Sequence, residues 1–372
     1  MMTTKLEVAK QQFNRCFTNG IVHPDYWLWD SWTTSNGKDE YDFYCLSLSR
    51  LNDCGKAIQP SERNSHAFHI RKFRTYDAGT NWSDLGPVLS PSESEDMSYA
   101  GNVWSGSAIH LKNGKTLHGF TGIEGVDDNH PFMQSICFGF STDTEHEIIP
   151  LERATLHPRR DYQFIRERGY YLDSIDRLGH KNGEAGGPIM AWRDPFLIKS
   201  PDGTLHCLWS AKSTPATPVI AHVILDVSEN NVSVRHLMKP ILLPDSHEFT
   251  QAEVPKVLYS PTTQLYYLMI ASCDRLREGQ ADDEVSKQQR LYVSRTIRGP
   301  WEPYRSETSI MPGLKDRFGC SILSSDFQRE EVQLMCPVTE QSDEASILSI
   351  SGPKSVSIKV NNLKLFTEVE VA

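Results

Sequence analysis

The sequence predicts an all-β chain of the propeller type, and three observations carry that prediction. Brief apolar or alternating segments recur along almost all of its 372 residues, separated by turn residues. Helical spacing is confined to short stretches. A theme of strand, tight turn and second strand returns at wide intervals, as the radial repetition of propeller blades requires.

In chain order, residues 5–17 place Leu6, Ala9, Phe13 and Phe17 at helical spacing. Residues 1–20 therefore read as a helical extension and 21–372 as one propeller domain. Segments 41–48 and 67–73 supply the next strands. Segments 107–111 and 116–121 flank the hairpin turn Lys112-Asn113-Gly114-Lys115, and 195–198 and 204–210 flank Ser200-Pro201-Asp202-Gly203. Segment 219–225 follows, then 265–271 after Ser260-Pro261-Thr262-Thr263, and 290–294 and 332–337 extend the pattern toward the C-terminus. The irregular stretch 155–190 is too long for a tight turn; it is expected to pack over a binding face rather than to link two domains. Three copies of the repeat begin at Trp104, Arg193 and Glu253. The polar positions Asp30, Trp104/Ser105, Asp194 and Glu253 recur at intervals of 74, 90 and 59 residues. Blades of roughly 60–90 residues give four or five of them.

Composition narrows the function classes. Formal net charge is −10, and no Lys/Arg cluster forms a nucleic-acid footprint. No apolar run approaches the ~20 residues of a membrane-spanning helix. Residues 1–8 lack the apolar core of a signal peptide, so the expected location is cytoplasmic, with non-classical secretion still open. The eight cysteines include no CxxC pair and are expected to be free thiols.

Three of the eight tryptophans fall in Trp27-Leu28-Trp29-Asp30-Ser31-Trp32. Aromatic rings stack on sugar C–H faces, while a carboxylate among them can attack or stabilise an anomeric carbon; core packing around a turn is the competing reading. The inner strands of a propeller converge on one funnel, so Asp30, Asp194 and Glu253 could meet there. Glycoside hydrolysis needs two carboxyl groups flanking the anomeric carbon, and a third can bind hydroxyls. Other constellations carry less. His66 and His69 have no third metal ligand nearby. Ser105-Gly106-Ser107 lacks the strand–turn–helix setting of a nucleophile elbow, and Asp282-Asp283-Glu284 reads as a solvated loop.

Trp29-Asp30-Ser31-Trp32, Trp104-Ser105-Gly106-Ser107-Ala108, Arg193-Asp194-Pro195 and Ala252-Glu253-Val254-Pro255 occur in the order seen in the levansucrase/inulosucrase group. The chain resembles a divergent member of that group, glycoside hydrolase family 68 in the β-fructofuranosidase clan, from about residue 25 to 305. The resemblance implies a five-bladed β-propeller with a central funnel-shaped active site. It implies Asp30 as nucleophile, Asp194 as transition-state stabiliser oriented by Arg193, and Glu253 as acid/base. Trp29, Trp104, Ser105 and Arg193 would bind the fructosyl unit. Gln251 and Val254 stand where the family usually has a carboxylate and an arginine, and Arg275 is a candidate to supply the missing guanidinium. Pro188 and Thr250 replace aspartates of the calcium site common in secreted members, so no metal and no cofactor is expected. The implied activity is retaining hydrolysis or fructosyl transfer on β-fructofuranosides such as sucrose or fructo-oligosaccharides, with hydrolysis favoured over polymer synthesis. A pentoside-active propeller hydrolase and a catalytically silent sugar-binding propeller are the alternatives. The expected partner is a small sugar, with no nucleic acid and no membrane.

Overall fold

The computed structural model describes residues 15–361, apart from 126–127, 143–145, 182–185, 278–279, 282–283, 315–316 and 340–346. Its strands form five blades around a central axis. The first blade holds β1 (Cys16–Thr18), β3 (Tyr26–Gly37), β4 (Glu40–Ser49), β5 (His69–Thr75) and β6 (Asn81–Leu89), in the order β1-β6-β5-β4-β3; β2 (Gly20–Ile21) stands apart. The second runs β7 (Asn102–His110), β8 (Lys115–Glu124), β9 (Met133–Thr142) and β10 (Ile149–Pro150). The third runs β11 (Arg193–Lys199), β12 (Leu205–Thr214), β13 (Thr217–Val227) and β14 (Val232–Leu237). The fourth runs β15 (Gln251–Ser260), β16 (Leu265–Cys273), β17 (Lys287–Ser294) and β18 (Glu302–Pro303). The fifth pairs β19 (Ser321–Asp326), β20 (Glu331–Met335) and β22 (Lys354–Ser357), while β21 (Ile350–Ser351) pairs with β2.

Every blade is covered on both faces by its neighbours, so its middle strands lose the one-sided alternation of a solvated sheet. In β16 all nine residues are buried. One apolar cluster fills each of the five inter-blade interfaces. Phe120 packs with Trp32 and Tyr44 between the first and second blades, and Trp209 with Phe138 between the second and third. Tyr292 belongs to the third–fourth interface, Tyr304 to the fourth–fifth, and Trp82 joins Met335 between the first and fifth.

The ring closes between the first and last blades. β2 pairs antiparallel with β21, and the Leu28 amide donates to the Leu348 carbonyl at 2.7 Å. Ser31 and Ser321 share a hydroxyl hydrogen bond at 2.7 Å, and the Thr33 hydroxyl donates to the Ile322 carbonyl at 2.6 Å.

The expected N-terminal helix falls mostly outside the described residues, and its last residues are strand. Cys16–Thr18 pairs with Ser83–Asn81, and the Phe17 ring packs edge-on against Phe73 at 6.0 Å. That pairing extends the first blade outward and overrides local helical spacing, so the propeller begins before residue 21. Among its described residues the stretch 155–190 includes a short helix, α1 (Tyr162–Glu167), and a 3-10 turn at Ile175–Arg177. It buries Ile165, Tyr170, Leu172 and Leu178 in the second–third cluster and is anchored where the Tyr171 amide donates to the Lys212 carbonyl. It reaches the funnel wall at Ile189.

Candidate active site

Four inner strands lose register with their neighbours at the same level of the propeller. In β3 the shift lies between Leu28 and Ser31, in β7 between Trp104 and Gly106, in β11 between Arg193 and Phe196, and in β15 between Glu253 and Lys256. Such bulges bend a strand and re-aim a side chain. Here they turn Asp30, Ser105 and Asp194 toward the axis and leave Glu253 at the edge of the fourth. Pro195 and Pro255 occupy positions released from the ladder, where a missing N–H costs nothing. Gly106 is needed at the second bulge, because a Cβ there would sit 2.0 Å from the Gly119 carbonyl oxygen.

Hydrogen bonds tie the bulges together. The Ser105 hydroxyl donates to Asp30 Oδ2 at 2.6 Å. The Asp194 amide donates to the Thr121 hydroxyl at 2.8 Å, which donates to the Ser105 carbonyl at 3.1 Å. Asp194 Oδ2 accepts from the Ser210 hydroxyl at 3.2 Å and from the Val254 amide at 3.1 Å. Arg193 Nη2 donates to Glu253 Oε1 at 3.0 Å and to Gln251 Oε1 at 3.2 Å, while Nη1 donates to the Met190 carbonyl at 2.6 Å. Asp194 and Val254 adopt positive φ, 64° and 43°. For a β-branched valine that region is a genuine outlier, of the kind that clusters at functional sites.

The electrostatics follow from burial. Loss of solvent raises Asp30, opposed by the Ser105 hydrogen bond and reinforced by the Glu253 charge. Asp194 is pushed up to about 7, chiefly by burial; Arg193 opposes that rise, and the Asp30 and Glu253 charges add to it.

Solved structures share this architecture. Bacillus subtilis levansucrase superposes with a TM-score of 0.61 at 14% sequence identity, over 95% of this chain and 91% of that one. A levansucrase variant complexed with sucrose gives the same values. A B. megaterium levansucrase variant gives a TM-score of 0.62 at 14% identity, over 91% of this chain and 86% of that one. The fold is levansucrase-like. No protein-family model matches the chain, and no curated protein matches it.

In this levansucrase-like frame, eight of the nine expected site residues line one cavity of about 370 Å3: Trp29, Asp30, Trp104, Ser105, Arg193, Asp194, Glu253 and Arg275. Gln251 does not. It is 1% exposed, and its amide bridges the Arg193 guanidinium to the Arg275 carbonyl, to which it donates at 3.3 Å. An ionised carboxylate could accept from Arg193 but could not make that second bond. Arg275 is held in turn, its Nη1 donating to the Gln280 carbonyl at 2.6 Å.

Of the tryptophan cluster, only Trp29 faces the cavity, set edge-on against Phe68 with ring centroids 4.7 Å apart. The Trp27 indole donates to the Ile58 carbonyl, and Trp32 stacks on Tyr44. Trp104, packed against the same apolar cluster as Trp29, also lines the cavity, with its buried indole N–H unpartnered among the described residues. Sequence reasoning missed Thr121, Ser210 and Gly319. A Cβ on Gly319 would lie 2.9 Å from Asp30 Oδ1, and its φ is +74°. A Gly between Phe318 and Cys320, just before a strand, was the available signal. Among the described residues no group of His, Cys, Asp or Glu is arranged to hold a metal. Thr250 donates its hydroxyl to the Arg275 carbonyl at 2.6 Å.

Proposed function

We propose that this protein is a retaining glycoside hydrolase/fructosyltransferase acting on β-fructofuranosides such as sucrose or fructo-oligosaccharides, with hydrolysis favoured. The observation that carries the proposal is the convergence of Asp30, Arg193-Asp194 and Glu253 on one cavity in a levansucrase-like propeller. One similar structure, of a levansucrase variant, holds sucrose, and another, of a B. subtilis levansucrase variant, holds oligosaccharides.

In this reading Asp30 is the nucleophile. Ser105 fixes Oδ2, which leaves Oδ1, beside Gly319, to attack C2 of the fructosyl unit. Glu253 gives its proton to the glycosidic oxygen as that bond breaks. It then takes a proton from water or a sugar hydroxyl as the acceptor oxygen bonds to C2 and Asp30 leaves. Asp194, held by Ser210 and Val254, accepts hydrogen bonds from fructose hydroxyls and offsets the developing positive charge. Trp29 and Trp104 wall the ring. Neutral Gln251, turned inward, leaves the subsite beyond fructose less acidic than in the usual family pattern. That supports hydrolysis or short transfer over chain extension.

Incubation with sucrose in aqueous methanol tests both parts. Double displacement should give methyl β-fructofuranoside alongside glucose and fructose. The α-anomer would contradict retention. Turnover of aryl arabinofuranosides or xylosides without sucrose turnover would move the assignment to a pentoside.

A further inference from the structure

Lys256 follows Glu253 by three residues on β15 and is 4% exposed. Lysine is almost never this buried without a counter-charge. Its Nζ donates to the Val254 carbonyl at 3.2 Å, while the Val254 amide donates to Asp194 Oδ2 at 3.1 Å. Val254 is thus gripped on both sides, at the strained φ of the bulge. A β-branched residue keeps such a conformation only when its surroundings over-determine it. The side chain also borders a second cavity further along the axis, with Trp32, Phe196 and Ile322 of the other inner strands. It therefore lies behind the carboxyl groups rather than in the sugar cavity.

We propose that Lys256 is a positioning residue of the candidate site: its ammonium is the fixed counter-charge behind Asp30 and Asp194, and its bond to Val254 holds the bulge that aims Glu253. The proposal rests on the reading above only where kinetics are concerned. The charges around it are consistent. Burial is the largest influence and lowers the proton affinity of Lys256; Asp30, Cys320, Asp194 and Cys336 oppose that fall. Asp30 in turn feels Lys256 and Arg63 as favourable charges and Glu253 as an unfavourable one; Asp194 feels Arg193, Asp30 and Glu253. An apolar residue of similar length would fill the same space. A packing role and an electrostatic role therefore separate cleanly.

The test is a carboxyl titration by NMR of protein labelled with 13C at the aspartate side-chain carboxyl, with Asp30→Asn and Asp194→Asn used for assignment. In Lys256→Met the midpoints of Asp30 and Asp194 should move to higher pH by about one unit or more, because a nearby opposite charge has been removed. Lys256→Arg should stay near wild type. With sucrose, Lys256→Met should lose at least about tenfold in kcat with KM within about threefold, and the acid limb of its pH profile should rise with the carboxyl midpoints. Midpoints that stay in place in folded Lys256→Met overturn the proposal. If that variant does not fold, Lys256→Gln carries the same comparison. A wild-type protein inert toward β-fructofuranosides defeats the functional reading alone, and the titration still decides the role of Lys256.

Discussion

Asp194 illustrates how the site trades stability for chemistry. Its carboxyl is 5% exposed and its proton affinity is pushed up to about 7, above the ordinary 3.8. The folded state therefore holds this proton more tightly than the unfolded chain does. The contribution to stability is complete below about pH 4 and is lost as pH rises through about 7. Asp194→Asn should accordingly melt a few degrees above wild type at pH 8, with that advantage shrinking as pH falls toward 4, while activity collapses. Melting curves at both pH values check the sign. The same buried pair should set the acid limb of kcat/KM, with activity falling as pH drops below about 7 and the apparent midpoint belonging to Asp30 and Asp194 together. Gln251 allows a second single-residue test. Gln251→Glu removes one of two donors to the Arg275 carbonyl, which keeps the Thr250 hydroxyl, and should cost about 0.5–1.5 kcal/mol of stability, the usual net worth of one hydrogen bond. Urea unfolding measures it.

At the scale of the element, the bulge is the unit that makes the site. Its location was only half legible in the sequence. Arg193-Asp194-Pro195 and Glu253-Val254-Pro255 stand out because proline inside a strand demands a break in the ladder. The register shift itself is set by the partner strand, and nothing local to β3 announces that two of its residues face one of β4. Thr121, Ser210 and Lys256 were hidden for a related reason: they sit on strands covered on both faces, where polar and apolar residues show no alternation. Most of the helical spacing of residues 5–17 lies outside the described residues; at Cys16 and Phe17 it gives way because pairing with β6, a long-range contact, decides the fate of Cys16–Thr18. Gly319 tests the element directly. In Gly319→Ala the new methyl meets Asp30 Oδ1 at a backbone conformation that L-residues rarely adopt. We expect at least a hundredfold loss of kcat/KM, roughly the cost of misplacing a reacting group by about 1 Å, with a cooperative melt retained. Steady-state kinetics and a thermal scan on the same preparation separate the two effects.

For the whole molecule, the all-β class, the wide repeat and the convergence of distant carboxyl groups were all readable before any coordinates, because blades repeat strand–turn–strand and their inner strands must meet. The degenerate repeat alone left four or five blades; the family resemblance implied five, and the structure has five blades. Closure between β2 and β21 joins the first and last blades, and the buried histidines add a pH dependence to stability. His118 and His222 are both brought down to about 3 by burial, well below the ordinary 6.5. Their contribution to stability is present above pH 6.5 and is lost as pH falls from there toward 3. A His118→Gln protein should therefore lose less stability than wild type between pH 6.5 and 4, as equilibrium unfolding at each pH will show. The central claim, that this propeller transfers or hydrolyses a fructosyl unit through Asp30, has a more direct test. Purified protein and its Asp30→Ala variant are incubated with sucrose, and free glucose and fructose are measured. Glucose release by the wild type, with equal or lesser fructose, and at least a thousandfold less from a folded Asp30→Ala protein is the predicted result. No glucose from the wild type, or full activity in the variant, would contradict it.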